Sequence, residues 1–214
     1  MANIGHGKKF EQMKEKLLKV AQKEFFIRGY KNTKIADVCK IANVDNNAVA
    51  RVFCDKETLF LSVIEQVIKE QNKIVKKLLR KTKDNLLEYF LLSAIKLIFS
   101  TLSEQSRENF NVYYEKKKAN VDKKLYEKLK ESLPQNNRED FYACLIAIDG
   151  IMSNFISSAL DLEDKINKFT LFSLSILNIE SDRAKQIIEQ LEREETINII
   201  EKQAHNLLQS IKEN

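Results

Sequence analysis

The chain has one proline, four glycines and no tryptophan in 214 residues. So few breakers leave little material for β-turns, and a composition rich in Lys, Glu, Leu and Ile favours helix. The expected class is therefore all-α. Cysteine is scarce and odd in number. Cys39, Cys54 and Cys144 stand far apart with no C-x-x-C, which argues against a disulfide framework or a zinc site and for a reduced, cytoplasmic protein. The two histidines, His6 and His205, lie at opposite ends of the sequence. No Glu-x-x-His pair, G-x-S-x-G, P-loop or dinucleotide fingerprint occurs. Little material exists for acid–base or metal chemistry, so neither enzymatic activity nor a cofactor is expected. The first residues, MANIGHGKKF, lack the apolar core of a secretory leader. The most apolar segment, residues 141–160, is interrupted by Asp149 and Asn154 and is not expected to span a membrane.

Charge is present, and unevenly. Residues 1–60 hold 12 Lys+Arg and 7 Asp+Glu, a net of +5; the remainder of the chain holds 24 of each. All the excess positive charge sits in the N-terminal quarter, which suits a phosphate-binding head on a neutral body. In that quarter Phe10, Met13, Leu17, Val20, Ala21 and Phe25 recur at helical spacing, with lysines on the opposite face. Gly29 is placed to end this helix.

The next stretch, TKIADVCKIANVDNNAVARVF over residues 33–53, reads as two short helices joined by a tight turn. Thr33 is the expected N-cap of the first helix and Asp45 of the second. Ile35, Val38, Cys39, Ile41 and Ala42 are expected to face inward. Asn43 takes the turn position, where a positive φ is needed and Asn is the least costly substitute for Gly. Numbered from Ile35, the fourth, eighth, tenth, fifteenth and eighteenth positions are Val38, Ala42, Val44, Val49 and Val52. All are apolar, and the fifth, Cys39, is small, as a helix-turn-helix requires. The bland counterpart is an αα-corner within a bundle. The charge asymmetry favours the DNA-binding form. Asn46, Asn47, Ala48, Ala50 and Arg51 then become candidate base readers: Asn pairs with adenine, Arg with guanine or a phosphate, and an Ala methyl packs on thymine. Thr33 and Lys34, at a helix N-terminus, and Lys56, just inside the helix capped by Asp55, are candidate phosphate contacts.

The order of these pieces resembles the DNA-binding domain of the tetracycline-repressor (TetR) family. The resemblance covers about residues 10–65. It rests on FIRGY at Phe26–Tyr30, then Thr33, the IADVCKIANV segment, Phe53, and DKETLF leading into a long helix. The family's Ala-Gly-Val-Ser turn reads Ala42-Asn43-Val44-Asp45 here. Ala50 stands where the family carries a phosphate-contacting Tyr. The resemblance implies an N-terminal three-helix head over residues 8–55 and a larger helical ligand-binding and dimerisation body over 56–214. It further implies a homodimer on palindromic double-stranded operator DNA, and a small-molecule effector that releases it.

In the body, long helices are expected over 59–80, 86–102, 104–117, 119–132, 138–160, 164–178 and 181–212, with a loop at 132–137. Asp84 is placed to cap the second of these. The 138–160 segment is apolar nearly all round, so it is buried either completely or on one side by a partner chain. Phe90, Phe99, Phe110, Tyr113, Tyr114, Asn154 and Phe155 are candidate pocket residues. Aromatic residues at this spacing also read as plain core. A protein-binding helical adaptor that has lost specific DNA binding is the rival reading, favoured by Ala50.

Overall fold

Helix-forming segments account for nearly the whole chain. The computed structural model describes residues 4–80, 82–117, 123–133 and 140–213. Among them are eleven helices and no strand: α1 Ile4–Asn32, α2 Ile35–Ile41, α3 Ala48–Phe53, α4 Lys56–Leu78, α5 Asn85–Thr101, α6 Glu104–Lys116, α7 Lys123–Glu131, α8 Phe141–Ser157, α9 Leu162–Ile176, α10 Ser181–Leu191 and α11 Glu194–Glu213. The all-α class expected from the composition is the class observed. The Pro134 part of the expected loop, the start of the expected 119–132 helix and the first three residues lie outside the described residues.

Helix α5 is the hub of the body. Its sequence is apolar on nearly every side, and 13 of its 17 residues are buried. It packs against α4, α6, α8, α9, α10 and α11. The Asp84 side chain caps it by accepting from Leu87 N–H at 3.0 Å, as expected, and also pairs with Arg183 on α10. Helix α4 begins where expected, with Asp55 accepting from Thr58 N–H at 2.7 Å. Leu59, Phe60, Val63, Ile64, Val67 and Val75 form its inner stripe. Gln71 lies on that stripe, fully buried, and neither amide atom has a partner among the described residues.

Two expectations need correction. Phe10 is 41% exposed, because the first turns of α1 lie beyond the stretch whose inner face is covered. The expected single helix over 181–212 is two, α10 and α11. The charged stretch Glu192–Glu195 separates their apolar stripes, although no Gly or Pro marks the break. Of the two forms expected for the 138–160 segment, full burial is not the one seen in α8, which leaves one face open. Phe141, Leu145, Ile148, Met152 and Ile156 face inward, while Tyr142, Ala147 and Gly150 stay open.

The head is joined to the body along a seam between α1 and α6. Gly29 breaks the helical conformation within α1 at φ 81°, ψ 164°, a region essentially restricted to glycine. A Cβ there would also stand 2.2 Å from the Glu108 carboxylate. That carboxylate accepts from Lys31 N–H at 2.9 Å, and Asn109 Nδ2 donates to the buried Phe25 carbonyl at 2.8 Å. Cys54, between α3 and α4, sits at φ 68°, ψ −52°, with Asp55 N–H donating to Phe53 O at 2.9 Å. This is the strained γ-turn, an unfavourable place for a side chain. The two positions predict opposite responses in thermal melts. Gly29→Ala lowers Tm by about 2–10 °C, whereas Cys54→Gly leaves it unchanged or raises it. An unchanged Tm in Gly29→Ala would contradict the role given to this glycine.

Candidate nucleic-acid interface

The corner between α2 and α3 is built as its spacing predicts. Val38, Cys39, Ala42, Val49 and Phe53 are buried, and Val44 and Val52 pack half-buried against them. Asn43 adopts φ 50°, the left-handed conformation the turn demands. Val44 N–H reaches back to Cys39 O at 3.0 Å and locks the turn. The small Cys39 side chain lets α3 approach, with its Sγ 3.9 Å from Asn46 O.

The capping of both helices differs from expectation. Lys34, not Thr33, is the N-cap residue of α2, and it makes no side-chain cap bond. Thr33 is 1% exposed, and its hydroxyl donates within 2.7 Å of Gly29 O and 3.2 Å of Glu24 O. The hydroxyl thus closes the end of α1 and is turned away from any phosphate. Asn47 is the N-cap residue of α3; Asp45 acts two residues earlier, its Oδ1 accepting from Asn47 N–H at 2.9 Å.

The outward face is also revised. Asn46, Asn47 and Arg51 are exposed as expected, and so is Lys34. Of the two alanines expected outward, Ala48 is fully buried and belongs to the corner's core, while Ala50 presents its methyl group outward. Ile41, expected inside, is 53% exposed on the α2 surface, beside the exposed Lys40. The helical stripe runs through Val38, Cys39 and Ala42, which leaves Ile41 outside it. Lys56 is half-buried, its ammonium 4.5 Å from the centre of the Tyr30 ring. Burial lowers the pKa of that ammonium from its ordinary value. Lys116 lies 5.7 Å from the same ring and pairs with Glu57 at 2.5 Å.

Arg51 is not a free cation. Its guanidinium pairs with the Asp45 carboxylate across the open face. That hydrogen bond holds the Asp45 carboxyl below the usual carboxylate range. Both side chains are more than half exposed, so water and salt screen the pair and exchange for a base edge is cheap.

The candidate pocket residues divide into two groups. Phe90, Phe99 and Phe110 have 1%, 0% and 0% exposure and therefore line no space that water could reach. Phe99 packs between Phe26 and Phe110, so these rings are core. Asn154 lies on the open face of α8 rather than inside. Tyr114 and Phe155 are half-buried and Tyr113 retains 5%. Sequence reasoning missed the polar groups beside the tyrosines. Lys96 on α5, Lys117 after α6 and Asp149 on α8 cluster there with Tyr89. A lone Lys inside the apolar run LLEYFLLSAIKLIFSTL was the available signal. Among the described residues, no group of three or more His, Cys, Asp or Glu could hold a metal, and no helix is long and apolar enough to cross a membrane.

No family model matches the sequence, and no curated protein matches it. Solved structures do match. RolR, crystallised in complex with the ligand resorcinol, aligns over 87% of this chain and 96% of its own, at 19% identity and a TM-score of 0.59. A TetR-family transcriptional regulator from Pectobacterium atrosepticum aligns over 86% of this chain and 93% of its own, at 17% identity and a TM-score of 0.46. At such identities the likeness concerns fold: the chain has a TetR-like, all-helical fold.

The Asp45–Arg51 pair is directly measurable. Carboxyl titration followed by NMR should place Asp45 below an ordinary aspartate, and Arg51→Ala should move it back up. Identical titration in both proteins would remove the pair.

Proposed function

We propose that the protein is a ligand-responsive transcriptional regulator, a repressor that grips palindromic operator DNA as a homodimer and lets go when a small molecule enters its body. The observation that carries this reading is the α2–α3 corner, with its positive-φ Asn43 and its outward Asn46, Asn47 and Arg51 on a basic head. Asn46, Asn47 and Arg51 present donor and acceptor groups suited to base edges, and Ala50 a methyl suited to thymine. Lys34 and Lys56 are the phosphate contacts, the second held in place by Tyr30. The exposed Lys40 adds a third cation near them in sequence.

A single corner of this size reads few bases, so affinity calls for two copies on half-sites one DNA turn apart. The outer face of α8 and α9 supplies an apolar surface for pairing. Tyr142, Leu171 and Phe172 are 42%, 53% and 50% exposed, and nothing lies within 4 Å of the Cβ position of Gly150. Exposed apolar side chains flanking small residues allow two helix pairs to approach closely. RolR, whose fold this chain shares, holds resorcinol, which supports a small organic effector here. Release is a population shift: the effector favours a body conformation in which α6 carries the two heads out of register with the operator.

Binding of a promoter-region duplex, measured by fluorescence anisotropy across salt concentrations, should give log K falling with log salt at a slope of about −3 or steeper. Arg51→Ala should reduce discrimination between operator and unrelated duplex about tenfold or more. Undetectable or salt-insensitive binding would favour the protein-binding adaptor instead. For the dimer, Leu171→Asp with Phe172→Asp should shift the protein to monomer in analytical ultracentrifugation and weaken operator binding. A dimer unaffected by both changes would place the interface elsewhere.

A further inference from the structure

Two large aliphatic side chains stay open beside the end of α4 that lies away from the head. Leu78, the last residue of α4, is 36% exposed, and Ile199 on α11 is 37% exposed. Both line one cleft of about 480 Å³, bounded by the end of α4, the start of α5, α10 and the start of α11. That volume is in the range of sites for small molecules. At the N-terminal ends of α5 and α10 the lining holds the ion pair of Asp84 with Arg183. From that pair it continues to Leu91 on α5 and to Gln190 on α10, seven residues in each case, or about 10 Å of helix.

The apolar part of the lining is aliphatic: among the described residues it consists of Leu78, Leu79, Leu87, Leu91, Ile187 and Ile199. Leu87, Leu91 and Ile187 are buried and form the floor, while Leu78 and Ile199 stand at the rim. Such walls reward covered chain surface, about 25 cal/mol per Å², and offer no ring for an aromatic ligand to stack on. The polar groups are paired or uncharged. Arg183 is held by Asp84, and its other terminal nitrogen donates to Gln186 Oε1 at 3.1 Å. The amide N–H groups of Gln186 remain as donors, and Thr82, Gln190 and Thr196 add two hydroxyls and a second amide. Glu195 is the remaining charge in the lining, and it is exposed, so water and salt screen it.

We infer that this cleft binds an unbranched aliphatic molecule with an uncharged polar head, such as a medium-chain alcohol. Its chain lies along Leu87, Leu91 and Ile187, and its head meets the amides and hydroxyls of the lining. The inference goes beyond the regulator reading and does not need it. A hydroxyl head carries one donor and two acceptor sites, which amide and hydroxyl neighbours satisfy. A charged head would shed its hydration on entry, at a cost that only a counter-charge repays. A carboxylate would find Arg183 already neutralised by Asp84, and an ammonium would find Asp84 taken by the same pair.

The test uses the full chain and three probes of one chain length: 1-octanol, octanoate and octylamine, each titrated by calorimetry below its aggregation limit. 1-Octanol should bind one per chain, at least about tenfold tighter than either ion. Intermolecular cross-relaxation in NMR should connect its chain protons to the methyl groups of Leu87, Leu91 and Ile187. Ile199→Asp, which puts a charge at the exposed rim, should weaken that binding about tenfold or more. Ile199→Leu, which keeps the apolar surface, should retain it. Equal binding of the three probes, a preference for either ion, or no binding of 1-octanol would overturn the assignment. So would contacts to methyl groups elsewhere, or an affinity unchanged in Ile199→Asp. The contacts are read on the native chain, so they decide the place of binding whatever Ile199→Asp does to stability.

Discussion

The structure depends on the seam at which α6 holds the end of α1. The Phe25 carbonyl is buried and has Asn109 Nδ2 as its donor, at 2.8 Å. A few residues on, Gly29 turns the chain in a conformation that other residues resist, and Glu108 occupies the space a side chain would need. Lys31 N–H, freed by that break, is satisfied by Glu108. The head therefore does not hang from the body by a linker. Its first helix is stitched to α6 by side chains that satisfy backbone groups, one of which, the Phe25 carbonyl, is buried where an unmet acceptor is expensive.

The same helix touches both parts of the molecule. Glu108 and Asn109 face the head, while Tyr113, Tyr114 and Lys117 reach the internal polar cluster at its other end. Asn109 and Lys117 are separated by eight residues, about 12 Å along a helix. Under the regulator reading, a ligand that draws Lys117 or the tyrosines toward it would pull on the helix whose earlier turns grip α1. Lys116 adds a second handle, pairing with Glu57 at the start of α4 and lying near the Tyr30 ring. Charge, aromatic packing and backbone satisfaction converge on α6, the element that the regulator reading would have report occupancy of the body to the head.

Much of this was legible in the sequence because it follows from local rules. The positive φ at Asn43, the apolar corner positions and the caps by Asp55 and Asp84 are set by near neighbours. What escaped was set by distant contacts or by helix phase. Thr33 looked like a cap, yet its hydroxyl is drawn to the end of α1. Ala48 and Ala50 are chemically identical, and only the exact start of α3 decides which one faces out. Arg51 read as a free base reader because its pairing with Asp45 requires the turn to fold back. In the body, helical spacing could not separate Phe90, Phe99 and Phe110, which are sealed core, from Tyr113 and Tyr114, which border polar groups. The 181–212 stretch broke in two without Gly or Pro, through a phase change between apolar stripes.

The central claim is that the α2–α3 corner is the surface that meets DNA. Amide chemical shifts recorded while a promoter-region duplex is added test it most directly. The account predicts perturbation concentrated at Lys34, Asn46, Asn47, Ala50, Arg51 and Lys56, with weaker changes passing through Lys31 to Glu108 and Asn109. Binding that leaves the corner unperturbed, or that perturbs only α8 and α9, would contradict it.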